Sequence, residues 1–229
     1  MHEPQVHPPA KVQLIELGVF LLLIIPSMVL SFFSFQRGAN PPFALFAAAN
    51  MLQQAGLLCL VLYFAWQNRE AFRDFGWKKE NLTMEIVIGL ALYFPIAYGL
   101  GYLQAALKSL GLSTLENVPG YLYPANLGEY VLAAALFTVV AIAEEGVFRG
   151  YLIRRLQSLT GTPNLAVPAA ALIFCIGHGY QQVGGVIATF LLGVVFGAVY
   201  LWRGSLVAPI VIHFMQNTAT VLMATMRGG

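Results

Sequence analysis

The sequence predicts an all-α membrane protein: a polytopic helical bundle of about seven transmembrane helices, with six and eight as the outer bounds. Of its 229 residues, 59% are hydrophobic and only 10% are charged, whereas a soluble domain carries about 25% charged residues. The mean hydropathy is +0.73, and apolar runs of the length that crosses a bilayer recur along the chain. We therefore expect one membrane domain, residues 1–229, with little mass outside the bilayer.

Seven apolar runs define the expected helices, and most are long enough to cross ~30 Å of hydrocarbon. The first is longer than the core of a signal peptide and no small-residue cleavage site follows it, so we expect a retained anchor. Between the second and third runs, Phe72–Lys79 alternates aromatic and charged residues and is expected to lie flat on the cytoplasmic leaflet or to form a solvated loop. The runs are Val12–Phe35, Phe43–Trp66, Leu82–Leu107, Leu127–Tyr151, Leu165–Gly179, Val183–Trp202 and Leu206–Met226.

The connections between these runs predict the orientation. With seven spans, eight lysine and arginine residues fall on the side of the N-terminus and three on the other. Because positive residues collect on the cytoplasmic side of a membrane, a cytoplasmic N-terminus is favoured. We expect a multi-pass protein of the plasma (inner) membrane whose cavity opens to the cytoplasm.

Charge and cysteine content exclude other classes. The net charge is only +2 and the basic residues are scattered, so the electrostatic footprint of a nucleic-acid-binding protein is missing. Cys59 and Cys175 lie in apolar runs without paired spacing, which argues against a disulfide framework or a thiolate zinc site. Both are expected to be buried structural thiols.

The few acidic residues separate into two groups. Glu144 and Glu145 follow roughly four turns of apolar helix, and ionisable groups at such depth are costly and are functional candidates. The others lie in loops, in the N-terminal tail or in the first turns of spans, where a carboxylate can reach the interface and meets a favourable helix dipole. No site is predicted at these positions, which include Glu16, Glu70 and Glu85.

Four more residues accompany this pair in the apolar runs. Glu145 and Arg149 are four apart, so they share a helix face and can form an ion pair. His213 and Asn217 share a face in the same way. Glu144 and His178 lie about fourteen residues on either side of one turn, each ~20 Å into its helix, so the two can sit level across a helical hairpin. All of these groups can line one cavity.

Carboxylates, imidazoles and a carboxamide in a wet intramembrane pocket suffice to hydrolyse a peptide bond without a covalent intermediate. Glu144, assisted by His178, is the candidate base that takes a proton from water. His213 and Asn217 can donate hydrogen bonds to the developing oxyanion, and Arg149 would hold Glu145 ionised. The same groups could ligate zinc, although the His-Glu-x-x-His spacing of helical zinc proteases is absent. We expect no required cofactor, with zinc as the open alternative.

The motifs in order resemble the CAAX protease and bacteriocin-processing enzyme family of intramembrane endopeptidases, in particular its type II CAAX prenyl endopeptidases. The resemblance covers about Val139 to Asn217, and residues 127–226 form the expected family-like core after less specific helices at 12–107. It rests on Glu-Glu-x-x-x-Arg at Glu144, Glu145 and Arg149, Phe-x-x-x-His at Phe174 and His178, Gly193 and Gly197 in a helix whose close packing they favour, and His-x-x-x-Asn at His213 and Asn217.

This resemblance implies a membrane protease whose glutamates and histidines activate water, although an older interpretation treats the family as metalloproteases. The expected substrate is a membrane-associated protein or peptide, in some members prenylated. Two other functions stay open: a non-catalytic protein that binds or sequesters a peptide in the same cavity, and a proton or cation pathway. The sequence predicts no oligomeric state.

Overall fold

The structure is a computed structural model that describes residues 8–36, 41–78, 80–112 and 122–228. Within these ranges the secondary structure is entirely helical. Eight α-helices follow each other along the chain: α1 Ala10–Gln36, α2 Phe43–Gln67, α3 Leu82–Ser109, α4 Leu127–Glu144, α5 Arg154–Thr160, α6 Pro163–Ile176, α7 Gln182–Arg203 and α8 Val207–Gly228. A π-helical segment, Glu145–Ile153, joins α4 to α5, and short 3₁₀ turns lie at Phe72–Phe75 and Gly179–Gln181.

Five helical stretches are long and apolar enough to cross a membrane: Ala10–Val29, Phe43–Gln67, Leu82–Ser109, Leu127–Thr160 and Gly179–Arg203. The other two predicted runs correspond to shorter apolar helices, Pro163–Ile176 and Val207–Met223. At ~1.5 Å per residue, the 14 residues of α6 extend only about 21 Å. An all-helical integral membrane protein is therefore confirmed, whereas the number of seven spans stays a prediction.

Local sequence explains where two of the central helices begin. Asn126 caps α4 by accepting a hydrogen bond from the Glu129 amide at 3.1 Å, while the Glu129 carboxylate accepts one from the Ala125 amide at 2.7 Å. This reciprocal arrangement satisfies backbone donors that a helix leaves open. Thr162 caps α6 with Pro163 in the first turn, where a missing amide hydrogen costs nothing.

The bundle packs α2 against α4, α3 against α8 and α6 against α7. The last contact depends on small residues, as the sequence predicted. A Cβ atom on Gly193 would lie 3.0 Å from Ala171 Cβ, and one on Gly197 would lie 2.8 Å from Val167 Cγ1. The two helices can approach this closely only because both positions lack a side chain.

The connections at one end of the bundle pack together; we call it the basic end. The α7–α8 turn joins the α2–α3 connection through a hydrogen bond from the Leu206 amide to the Gly76 carbonyl at 3.0 Å. Gln13 near the start of α1 donates to Ser158 of α5 at 3.0 Å. The chain therefore places its N-terminal helix start, the α2–α3 connection and the α5–α6 and α7–α8 turns on one side. The α3–α4 connection lies at the opposite end, which we call the far end.

Two sequence expectations are wrong at the basic end. The segment from Phe72 to Lys78 is not a free loop, because Phe75 is 3% exposed and stacks on Tyr151 at 6.3 Å; its position on the leaflet stays a prediction, and Lys79 is outside the described residues. Glu16 and Glu70 are also not solvated, since Arg155, which is 0% exposed, binds both carboxylates. The two carboxylates can be buried because the positive charge of the Arg155 guanidinium lies between them.

The third correction concerns a cysteine. Cys175 is buried as predicted, but Cys59 is exposed on the surface of α2. The reason is that an apolar segment in a membrane protein need not face the protein interior, because lipid accepts apolar side chains as readily as the core does.

Candidate active site

The site is built around the change from α-helix to π-helix at Glu144 and Glu145. Two glycines of the motif bring the neighbouring chain against this segment. A Cβ atom on Gly146 would lie 2.8 Å from both Leu58 Cδ1 and Trp77 Cζ2, and one on Gly150 would lie 2.9 Å from the Phe75 carbonyl oxygen. The neighbouring chain thus packs directly against the π-helical turn that carries the glutamates. Such turns are rare and occur frequently at functional sites.

Glu145 lies behind the site and is 0% exposed. Its Oε1 accepts hydrogen bonds from Arg149 Nη1 at 3.1 Å and from His213 Nδ1 at 2.7 Å. The predicted ion pair between Glu145 and Arg149 is therefore confirmed. Because a carboxylate oxygen accepts, the Nδ1 of His213 donates this hydrogen bond, and its Nε2 lies on the side of Glu144 and the cavity.

Arg149 is held by aromatic rings as well as by Glu145. Its guanidinium carbon lies 4.5 Å from the centroid of the Phe174 ring and 5.2 Å from that of Phe196. Cation–π contacts of this kind stabilise a charge that is removed from water. Arg149 is 2% exposed, so it supports Glu145 without reaching the cavity.

Glu144 faces the cavity. Its Oε1 accepts a hydrogen bond from Gln54 Nε2 of α2 at 2.8 Å. Its Oε2 lies 3.8 Å from His213 Nε2, which exceeds hydrogen-bond distance, and this buried oxygen has no hydrogen-bond partner among the residues that the structure describes. One oxygen is therefore fixed by the protein and the other is available to a water molecule or a substrate.

His178 occupies the end of α6 beside the cavity. Its Nδ1 donates to the Phe174 carbonyl at 3.1 Å, because a carbonyl oxygen can only accept. The neutral ring then keeps an unprotonated Nε2. Its ring lies 4.6 Å from that of Phe174, so Phe174 positions both His178 and Arg149.

A cavity of about 390 Å³ contains the site, within the range of small-molecule and peptide pockets. Five of the seven residues that the sequence singled out line it, and two, Glu145 and Arg149, lie behind it. Asn50 and Gln216 also line it, and each has a buried side-chain oxygen without a hydrogen-bond partner in the described part of the chain. The predicted residues in the lining are Glu144, Phe174, His178, His213 and Asn217.

The cavity extends from this level toward the far end. Its lining includes Leu122 and Tyr123 of the α3–α4 connection, Gln104 near the end of α3, and Thr220 in the second half of α8. None of the lining residues belongs to the connections at the basic end, where α1 begins. The side of the membrane to which the cavity opens stays a prediction.

Residues 126–219 match the model of the Rce1-like family, described as type II CAAX prenyl endopeptidase Rce1-like.

The resemblance drawn from the motifs is thereby confirmed over this stretch, which runs from the cap of α4 to beyond Asn217 and includes all seven site residues that the sequence singled out. The Rce1-like match supports a membrane-embedded protease acting on a protein substrate. No curated protein and no solved structure matches the chain.

The sequence left zinc open as an alternative, so the described residues were searched for a set of zinc ligands. Within the described part of the chain, no group of three or more histidine, cysteine, aspartate or glutamate side chains is placed to hold a metal ion. Glu144 and His213 approach each other, but the remaining carboxylate, Glu145, is already bound to Arg149 and His213.

Three polar residues of the site were not predicted. Gln54, Asn50 and Gln216 are ordinary amides in apolar helices. Only the packing of α2 and α8 beside α4 brings Gln54 to Glu144, and Asn50 and Gln216 to the cavity. One sequence signal could have found them: they are polar residues at membrane depth, and such residues usually face the interior of the bundle.

Proposed function

We propose that the chain is an intramembrane endopeptidase that hydrolyses a peptide bond of a membrane-associated protein or peptide, a class that includes prenylated CAAX-type proteins. The observation that carries the proposal is the buried, unpartnered Oε2 of Glu144, which faces the cavity beside two imidazoles. A carboxylate in this position can bind water and take its proton.

In the proposed reaction, Glu144 removes a proton from a water molecule, and the oxygen of that water attacks the carbonyl carbon of the scissile bond. The carbonyl oxygen becomes an oxyanion, which the Asn217 amide can stabilise by donating a hydrogen bond. The tetrahedral intermediate then breaks at the carbon–nitrogen bond, and the proton held by Glu144 passes to the leaving amine. The products are a carboxylic acid and an amine, and no covalent enzyme intermediate forms.

The two histidines have distinct tasks in this proposal. His178 Nε2 is an acceptor that can orient the attacking water toward Glu144. His213 donates to the oxyanion only when its ring is protonated, because its Nδ1–H already binds Glu145. The Glu145 carboxylate at 2.7 Å stabilises that cation. Glu145 and Arg149 are therefore positioning residues.

The test compares cells that express the wild type with cells that express Glu144→Gln. Membrane protein fragments that the wild type generates should decrease by roughly 10²-fold or more, the range for loss of a general base. Glu80→Gln, the same change at an exposed position of the α2–α3 connection, is the matched control and should cleave like the wild type. Both variants should elute as folded protein in detergent.

Unchanged fragments in cells with Glu144→Gln would contradict the proposal. If that variant also retains the biological effect of the wild type, the cavity serves to bind a peptide instead. A chelator added to the purified enzyme separates the two hydrolytic mechanisms. We expect cleavage to continue at an unchanged rate, whereas loss of activity that zinc restores would establish a metalloprotease.

A further inference from the structure

Two amide side chains in the cavity wall take no part in the proposed reaction. Asn50 of α2 and Gln216 of α8 both line the cavity, and the side-chain oxygen of each is buried without a hydrogen-bond partner among the described residues. A buried polar atom without a partner destabilises a folded protein, so its presence calls for an explanation. A ligand that donates hydrogen bonds to both oxygens accounts for them.

Both amides lie about one helical turn from the reactive carboxylate, on the same side of it. Asn50 comes four residues before Gln54, which donates to Glu144, and Gln216 comes three residues after His213, whose Nε2 lies 3.8 Å from Glu144 Oε2. Because α2 ends and α8 begins at the basic end, both steps lead toward the far end. They correspond to about 6 Å and about 4.5 Å of helix.

The two amides belong to different walls of the cavity. The helices that carry them, α2 and α8, both pack against α4, and α4 contributes the apolar Val140 to the lining, one turn before Glu144. In an extended chain, the N–H groups of successive residues point to opposite edges. Acceptors on two walls can therefore bind two N–H groups of one extended segment.

An extended substrate needs such acceptors at this depth. A helix bonds its own N–H groups, whereas an extended segment leaves them open, and the hydrocarbon layer offers no water to satisfy them. An extended chain advances ~3.3 Å per residue. The amides are thus level with N–H groups one to two residues away from a peptide bond that lies at Glu144.

We infer that Asn50 and Gln216 form a clamp that binds the backbone of the substrate in an extended conformation beside Glu144. The inference rests on the proposed function and deepens it, because it names the conformation that binds and the groups that recognise it. Every residue except proline carries a backbone N–H group. The clamp therefore accepts different side chains at these substrate positions and rejects proline.

The first test measures stability without substrate. Asn50→Leu and Gln216→Met replace each amide by an apolar side chain of similar size and leave the proposed catalytic residues unchanged. Because neither oxygen has a described partner to lose, the unfolding temperature in detergent should equal or exceed that of the wild type. A lower unfolding temperature in either variant would assign that amide a structural role and overturn its place in the clamp.

The second test uses a synthetic peptide that spans a cleavage site found by comparing the wild type with Glu144→Gln. Loss of one clamp hydrogen bond should raise KM about 2- to 10-fold in Asn50→Leu and in Gln216→Met, with little change in kcat, because the clamp binds substrate and transition state alike. The control is Gln53→Leu, an exposed amide of α2 that binds Ser27, and its KM should equal that of the wild type. An unchanged KM in both clamp variants overturns the inference while the protease function stands.

The third test removes the hydrogen bond from the side of the substrate. The same peptide is N-methylated at one residue at a time, one or two positions from the scissile bond. At the bound positions, methylation should raise the KM of the wild type but add little to that of the variant that lacks the matching amide. Equal increases in the wild type and both variants overturn the clamp. If no cleavage site depends on Glu144, the protease function itself fails, and the clamp fails with it.

Discussion

At the residue scale, two adjacent glutamates have separate environments. The charge of Glu145 is compensated by Arg149, and Glu145 also orients His213. Glu144 accepts a hydrogen bond from Gln54 on one oxygen, and its other oxygen has no partner among the described residues. Neighbouring residues on a helix are rotated by about 100°, so one can face the core while the next faces the cavity. A reactive carboxylate and the charge pair that supports it can therefore occupy consecutive positions.

Gln54 gives a prediction with a matched neighbour. Gln54→Leu removes the hydrogen bond to Glu144, and a hydrogen bond to a charged group contributes about 1.5–3 kcal/mol, so kcat should fall about 10- to 100-fold. KM should change little, because Gln54 holds Glu144 and is not among the residues that line the cavity. Gln53→Leu is the control, since Gln53 is exposed and binds Ser27. Measurement of kcat and KM on an identified substrate checks this prediction. An equal loss of kcat in both variants would contradict the positioning role of Gln54.

The sequence was sufficient for some of these contacts and not for others. The spacing of Glu145 and Arg149 specifies their ion pair, because residues four apart on a helix are neighbours whatever surrounds them. The contact between Gln54 and Glu144 joins positions 90 residues apart. It depends on α2 packing against α4, and apolar runs of similar composition do not specify which helices pair.

At the element scale, the π-helical segment is the feature that helical periodicity missed. An apolar run with glycines predicts a continuous α-helix from Leu127 to Tyr151, but the hydrogen-bond pattern widens at Glu145. Phe75 and Trp77 pack against the glycines of the segment, and helical periodicity contains no information on such tertiary contacts. The helical fold class could be predicted from composition, whereas this local change could not.

Gly150→Ala tests that packing. The added Cβ atom would lie 2.9 Å from the Phe75 carbonyl oxygen, and backbone cannot rotate away as a side chain can. Overpacking of this kind costs about 1–3 kcal/mol, so the variant should unfold at a lower temperature in detergent. Gly99→Ala in α3 meets nothing within 4 Å and should unfold at the wild-type temperature or above it. Equal behaviour of the two variants would show that the close contact does not matter for stability.

At the scale of the whole molecule, buried charged residues connect several elements at the basic end. Arg155 donates to Glu70 at 2.8 Å and to Glu16 at 3.3 Å, and Tyr151 also donates to Glu16 at 3.1 Å. These contacts join α1, the α2–α3 connection and the π-helical segment. These contacts could not be predicted from the sequence, because each glutamate lies near a helix end, where exposure to water is the ordinary outcome.

Arg155→Leu should destabilise the whole bundle. It leaves two buried carboxylates without their guanidinium, and breaking a buried pair in this way costs about 3–5 kcal/mol. Arg73→Leu, at an exposed position of the same end, should change the free energy of unfolding by no more than about 0.5 kcal/mol. Unfolding in denaturant measured on both purified variants checks the difference, and a stable Arg155→Leu protein would show that the network is dispensable.

The shortness of α6 has a consequence for the lipid around the protein. Its exposed side chains, among them Leu165, Leu172 and Ile176, extend over about 21 Å, whereas the hydrocarbon layer is ~30 Å thick. A bilayer relieves such hydrophobic mismatch by thinning beside the short helix. The headgroup region is thereby drawn toward His178 at the end of α6, so water and an unwinding substrate have less hydrocarbon to cross on this flank of the bundle than on any side faced by a full-length helix.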